Sequence, residues 1–533
     1  MVEISVRRGV ACGFLAAALA LGGSLAAKPA KADGTFIWGM PADHSILDPH
    51  VTCGWMAKFV NYQIYEGLVE IDLTSSEWPT KLKGQLAESW EISDDGTEYT
   101  FHLRAGVTFH DGTEMNADAV KYNYDRFLDP DAPHFNETAH AYMDFIRVIG
   151  DVKSVEVVDD MTIKVTLNSP NYEFLRTGME DCPQMYIISP TALQTYGDDG
   201  IPLHPIGTGK FKFVEREASV STTLVRNEDY WGEKPEIDRI IFRILEDPPT
   251  RVNALRAGEA HAIQDPPWDE IQGLEDDGFV ITKNDNAPTI WYLSFNMNSP
   301  KMQDVRIRQA INYAIDKEGI VERILQGYGR PAYGMLNAGT YAHDPDFVSY
   351  TYDPDKARAL LKEAGYDEDN RLSLEFDVMI YGTGELTEKW IQRDLKKVGI
   401  DLNLNMMEWL AYLDAWVPGM TDDVDLNEMV WGEQTPRWTA FGYRCDRVPP
   451  HGNNIGWYCN EKVDKILQQA LETRDEAERA ALYQQADAMA MMEDAPNAPI
   501  YHYYNPIVLN PSVKGYVNAP ANWWDLSTVR IEE

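Results

Sequence analysis

Along the first half of the chain, apolar and polar side chains alternate over short runs broken by turn residues. WEISDDGTEYTFHLR places alternating residues on both sides of Asp95-Gly96, a dipeptide that accepts positive φ, and so predicts a β-hairpin. SVEVVDDMTIKVTLN repeats the pattern, with its turn at Asp159-Asp160. Between them ADAVKYNYDRFL has helical spacing, is capped by Asn116 and carries Asp118 in the first turn, where the helix dipole favours an anion. Hairpins separated by helices predict an α+β region with antiparallel sheet.

Downstream the period lengthens. VRIRQAINYAIDKEGIVERIL, opened by Asp304, keeps Val305, Ala310, Ile311, Ala314 and Ile315 at helical spacing and predicts one helix. Asp353-Pro354 opens DKARALLKEAG, which Gly365 closes. WIQRDLKKVGIDLNLNMMEW reads as a helix, a glycine stop and a strand. Two further helical patterns fill VDKILQQALETRDEAERAALYQQADAMAMMEDAP, and IYHYYNPIVL reads as strand. A hairpin-rich first half and a helix-strand second half argue for two lobes.

Length and charge narrow the class. At 533 residues the chain holds roughly three to four domain-sized units, and its net charge of −38 disfavours nucleic acid and anionic lipid surfaces. Arg7 and Arg8, the apolar run from Gly9 to Ala27 and Ala30-Lys31-Ala32 read as a cleavable signal over residues 1–32, hence export. Of five cysteines, Cys12 leaves with that segment. A bridge from Cys445 to Cys459 would close a short loop rich in turn formers and add roughly 3 kcal/mol. Cys53 and Cys182 are either a second bridge or two buried thiols.

Catalytic signatures are missing: the sequence has no GxSxG, HExxH, CxxC or paired Cys/His zinc spacing. Gly207-Thr208-Gly209-Lys210 falls short of a phosphate loop, with Phe211 where a magnesium-binding hydroxyl is needed, and reads as a turn into strand FKFVER. His134, Glu137 and His140 read as a solvated loop, not a metal site. No cofactor is expected. The aromatic endowment stands out instead, with 15 Trp and 27 Tyr. Trp55, Trp431, Trp438 and Tyr443 sit beside Gly or Thr, outside clean amphipathic patterns, and are candidates for stacking on a solute.

The run from Leu86 to Arg126 closely resembles the signature region of family 5 extracellular solute-binding proteins, the peptide-, oligopeptide- and nickel-type receptors of ABC importers. The likeness continues through Tyr65-Glu66-Gly67-Leu68, Pro205-Ile206-Gly207-Thr208-Gly209, Tyr230-Trp231-Gly232, VRIRQAINYAID, YDPDKARALLKEAG and VKGY at Val513 to Tyr516. The resemblance implies an α/β (α+β) fold of two lobes with an extra subdomain in the first. Lobe I would comprise 33–67, 205–290 and 508–533, the extra subdomain 68–204 and lobe II 291–507. It also implies a Cys445–Cys459 disulfide, typical of the dipeptide-binding branch.

Specificity departs from the pattern. Dipeptide-binding relatives carry Asp-Pro-Asp after a Trp, and an aspartate there holds the peptide ammonium. Here the stretch reads Trp431-Gly432-Glu433-Gln434-Thr435-Pro436-Arg437-Trp438, and the aspartate's place falls on Thr435 or Arg437. Arginine inverts the charge and prefers carboxylate or phosphate, so Arg437 is either an anion clamp or a surface residue, and Glu433 is a candidate substitute for the amine anchor. The expected function is a monomeric, non-enzymatic periplasmic receptor that delivers peptide-like solutes to the importer's membrane permease subunits. The alternatives are an oligosaccharide or anion-bearing metabolite as solute, opine- or sugar-phosphate-like, a secreted hydrolase, and a chaperone-like binder of unfolded chains.

Overall fold

The computed structural model describes residues 34–532 apart from 45, 53, 146–150, 177–184, 287, 381–383, 433–434 and 450. The expected signal segment, Cys53, Cys182 and Glu433 thus lie outside the described residues.

Strong β-formers build the first sheet, whose seven strands run Val280–Thr282, Ile507–Leu509, Ala262–Gln264, Thr35–Met40, Arg239–Ile244, Ser221–Arg226 and Phe211–Glu217. Thr35–Met40 is parallel to both neighbours, and the outer pairs are antiparallel. Its Phe36, Trp38 and Met40 are buried. Trp38 stacks on Trp524 at 5.2 Å, and its indole N–H donates to Gln264 Oε1 at 3.1 Å, so a large apolar body is buried without orphaning its polar tip.

A second, six-stranded sheet runs Gly329–Pro331, Asn497–Tyr503, Thr289–Phe295, Leu426–Gly432, Leu372–Met379 and Ile400–Met407. Thr289–Phe295 is buried at every position, as a central strand covered on both faces must be. The third sheet is antiparallel, in the order Ala87–Ile92, Glu98–Leu103, Thr162–Leu167 and Val152–Asp159, over its own apolar core.

Local signals translate directly into structure. Gly96 takes φ 70° in the first hairpin, and Asn116 accepts from the Ala119 N–H at the start of Ala117–Leu128. Gly365 takes φ 96° after Pro354–Glu363. Three expectations need correction. The helix predicted from Val305 divides into Val305–Ala314 and Lys317–Arg323, because Asp316 caps the second and gives its own N–H to Asp394. IYHYYNPIVL is two strands, Asn497–Tyr503 and Ile507–Leu509, in different sheets. The solvated loop expected at His134, Glu137 and His140 holds only for His134, which lies half-buried on a turn. His134 stacks on Tyr122 at 3.6 Å, while Glu137 and His140 belong to the helix Glu137–Phe145, where His140 Nδ1 hydrogen-bonds Phe127 O.

Candidate functional site

The chain passes between the first and second sheets twice, between Thr282 and Thr289 and between Tyr503 and Ile507. Asn505, in the second passage, holds φ 44°, a left-handed conformation that asparagine tolerates better than most residues. One buried side chain ties both passages together. Asn522 Oδ1 accepts from Thr289 Oγ1 and from Asn505 Nδ2, both at 2.9 Å, and Asn522 Nδ2 donates to Gly432 O at 2.5 Å. A Cβ on Gly432 would lie 1.9 Å from that nitrogen, so any side chain there would displace the Asn522 amide from its bonds.

Beyond Gly432 the chain enters the segment singled out for solute recognition. Thr435 and Arg437 are both buried, yet each is engaged by the hairpin-rich unit. Thr435 Oγ1 donates to Glu173 Oε2 at 2.8 Å, and Arg437 Nη2 meets Asp151 Oδ2 at 2.6 Å. Glu173 has no solvent exposure; it also accepts from the Tyr341 hydroxyl at 2.5 Å and pairs with Arg479 Nε at 2.5 Å. The Tyr172 N–H crosses to Leu471 O at 2.9 Å, and Arg176 reaches Glu476 at 3.4 Å. Together these contacts form a polar clasp between the 151–176 region and the helices Glu461–Glu472 and Glu476–Met489. Asp151, Glu173 and Arg479 carried no signal in the sequence, because their partners stand far away along the chain.

Trp431, Thr435 and Tyr443 converge on a small cavity of about 30 Å³. Its walls also include Tyr292, Ser294, Thr439 and Asn453, and among the described residues no carboxylate or basic side chain lines it. Tyr443, the last residue of the helix Arg437–Tyr443, is fully buried, and its hydroxyl donates to Asp487 Oδ1 at 3.2 Å. Burial pushes the Asp487 carboxyl up to about 6 against the lowering pull of the Met335 and Leu336 N–H groups. Trp438 is the second residue of the same helix. Trp55 stands apart, opening the helix Trp55–Ile64 and packing on the core of the first sheet. Cys445 and Cys459 are bonded just after the helix Arg437–Tyr443, with Cα atoms 4.6 Å apart.

Scattered motifs of the sequence meet at one further point. Glu66, fully buried, accepts from Thr208 Oγ1 at 2.7 Å, the Trp231 indole N–H at 2.9 Å and the Tyr230 hydroxyl at 2.8 Å. Burial outweighs these donors and raises its carboxyl to about 7. Gly207 and Gly209 admit the Ile64 carbonyl, which a Cβ would approach to 2.3 and 2.6 Å, and Lys210 pairs with Asp525 at 2.6 Å. The glycine-rich turn is therefore a joint between segments. Among the described residues no group of three or more His, Cys, Asp or Glu is placed to hold a metal ion, and no helix is long and apolar enough to cross a membrane.

Comparison with known proteins gives a consistent picture. Residues 81–444 match the model of the bacterial extracellular solute-binding proteins, family 5. Heme-binding protein A of Haemophilus influenzae is 32% identical over 484 residues, 86% of this chain and 85% of that protein. The dipeptide-binding protein of Escherichia coli is 30% identical over 489 residues, covering 88% and 89%. The periplasmic binding protein DppA from Helicobacter pylori, solved with the peptide STSA, superposes with a TM-score of 0.82 at 27% identity, covering 94% of this chain and 98% of that one.

Proposed function

The chain belongs to the bacterial extracellular solute-binding proteins of family 5, and on that premise we propose that it is the periplasmic receptor of an ABC importer for peptide-like solutes. It takes its solute between two lobes and presents the closed complex to the membrane permease, making and breaking no bond. Residues 1–32 are its export signal. The first lobe is assembled from 33–67, 205–290 and 508–533, the extra subdomain from 68–204 and the second lobe from 291–507.

The observation that carries this reading is the cavity beside the hinge. Among the described residues its walls are aromatic, aliphatic, hydroxyl and amide groups without a formal charge, a chemistry that suits the neutral backbone of a peptide better than a phosphate or a carboxylate. Trp431, Thr435 and Tyr443 form the solute-facing wall, and Trp55, Glu433 and Trp438 are further contacts. Arg437 has Asp151 as its own carboxylate partner, so it serves closure more than recognition. Closure excludes water, which strengthens each polar contact inside. At about 30 Å³ the cavity is far below the several hundred Å³ that a small ligand occupies, so entry of a solute requires its walls to move apart.

Native mass spectrometry of the exported protein, purified gently from an oxidising periplasm, tests the reading. A ladder of bound peptide masses is expected. A single bound mass of a sugar or phosphate ester would overturn the peptide assignment.

A further inference from the structure

Within the loop closed by Cys445 and Cys459, two adjacent asparagines are used in opposite ways. Asn454 is spent on the loop itself. Its Nδ2 donates to Arg444 O at 3.0 Å and Tyr458 O at 2.5 Å, and its Oδ1 accepts from the Tyr458 N–H at 3.0 Å. Asn453 is also more than nine-tenths buried and lines the cavity, yet neither its Oδ1 nor its Nδ2 has a hydrogen-bond partner among the described residues. A buried carboxamide with both donor and acceptor unmet is costly, and such groups are rare away from functional sites.

The loop is built to keep Asn453 in place. Gly452 packs where a Cβ would lie 2.8 Å from Arg447 O, and Gly456 where one would lie 2.6 Å from Phe295 O. Backbone bonds from the Met297 N–H to Gly456 O at 2.8 Å and from the Met420 N–H to Ile455 O at 3.3 Å fasten the same turn to segments that flank strands of the second sheet. The disulfide closes the loop at its base. The carboxamide is thus preorganised, facing a cavity whose walls include Trp431 and Tyr443.

We propose that Asn453 is a specificity-determining residue that reads one amide group of the solute, its Oδ1 accepting from the solute N–H and its Nδ2 donating to the solute carbonyl. This rests on the peptide-receptor reading above. A primary carboxamide offers the donor-acceptor pair that a peptide group can match, and the described residues around it, all uncharged, favour neutral amides over ions. The disulfide's role follows, since it holds the recognition loop against the sheet that forms the opposite wall.

The test begins with an equimolar library of di-, tri- and tetrapeptides of defined sequence, the retained members being identified by mass spectrometry. Each retained peptide is then titrated calorimetrically into the wild type and into Asn453→Leu, together with analogues in which one amide is replaced by an ester. The wild type is expected to bind the peptide about 10- to 100-fold more tightly than one of its ester analogues, and Asn453→Leu to lose that discrimination along with affinity. Asn453→Ala, which removes the carboxamide without adding bulk, is the second variant should the leucine protein not fold. It is expected to lose discrimination too. Equal amide-over-ester preference in wild type and folded variant would overturn the role of Asn453 and leave the peptide reading standing. That result would mean the carboxamide is satisfied by a buried water. Retention of no peptide by the wild type would overturn both.

Discussion

Glu173→Gln is the sharpest probe of the polar clasp. The substitution preserves volume and removes one charge from a site with no solvent exposure, where Glu173 meets Arg479 Nε at 2.5 Å, the Tyr341 hydroxyl at 2.5 Å and Thr435 Oγ1 at 2.8 Å. Removing one partner of a fully buried pair costs about 3–5 kcal/mol because the other charge is left uncompensated. Arg479 keeps part of its solvation, since its Nη1 donates to Thr473 O at 2.8 Å and Arg474 O at 3.0 Å. The expected loss is therefore lower, about 2–3 kcal/mol, or roughly 30- to 150-fold in the ratio of closed to open clasp. Water can reach both groups once the clasp opens, so the cost falls on closure and not on the fold of either side. Amide hydrogen exchange reads this directly. The Tyr172 N–H donates to Leu471 O across the clasp, whereas the ladder between Glu98–Leu103 and Thr162–Leu167 lies wholly within one sheet. In Glu173→Gln the Tyr172 amide should exchange faster by the stated factor while the ladder stays protected. Unchanged exchange at Tyr172 in a folded variant would refute the reasoning, and loss of both would mean that Glu173 holds the sheet itself.

Other perturbations address the hinge, the loop and the buried acid. Asn522→Ala removes three hydrogen bonds at the passages between sheets and should lower unfolding free energy by about 1–3 kcal/mol in urea; an unaltered midpoint would deny Asn522 that tie. Reducing Cys445–Cys459, whose partners are 14 positions apart, should cost about 3 kcal/mol in guanidinium unfolding, whereas identical curves with and without reductant would contradict it. The folded carboxyl of Glu66 titrates at about 7, above its ordinary 4.5, so the folded protein holds a proton that the unfolded chain releases earlier. The stability this contributes is complete below about pH 4.5 and is lost as pH rises through about 7, for a total of about 3 kcal/mol. Glu66→Gln should flatten that part of the stability profile, and a variant that tracks the wild type between those values would rule the account out.

What the sequence made legible was local. The turn at Asp95-Gly96 and the cap at Asn116 need only residues within three or four positions, and both form as read. The interruption after Ala314 was hidden because its cause, the acceptance of the Asp316 N–H by Asp394, lies 78 positions away. The break at Asn505 was masked by apolar residues on both sides, since a strand that changes sheets stays as hydrophobic as one that does not. Trp431 and Tyr443 were recoverable as aromatics outside amphipathic patterns, and both line the cavity. Asn453 was not, because an asparagine in a loop of turn formers carries the same local signal whether it closes a turn or faces a cavity. Arg437 was legible as a charge reversal; its carboxylate partner, 286 positions earlier, was not.

The strand Ile507–Leu509 lies inside the first sheet, between Ala262–Gln264 and Val280–Thr282, although it is drawn from the last tenth of the sequence. Ala262 and Val280 both wait for Leu509 as their partner. A ribosome that has delivered 500 residues has therefore produced a sheet with a gap in it, its two flanking edges exposed and unpaired. Pairings of such long range are slow to form, because the intervening chain must be closed into a loop before any contact repays the entropy. The order of strands thus delays commitment to the native state until translation is almost complete. A chain exported as proposed above would be kept threadable by its own topology, and truncation before Ile507 should trap a species that exposes sheet edges and aggregates.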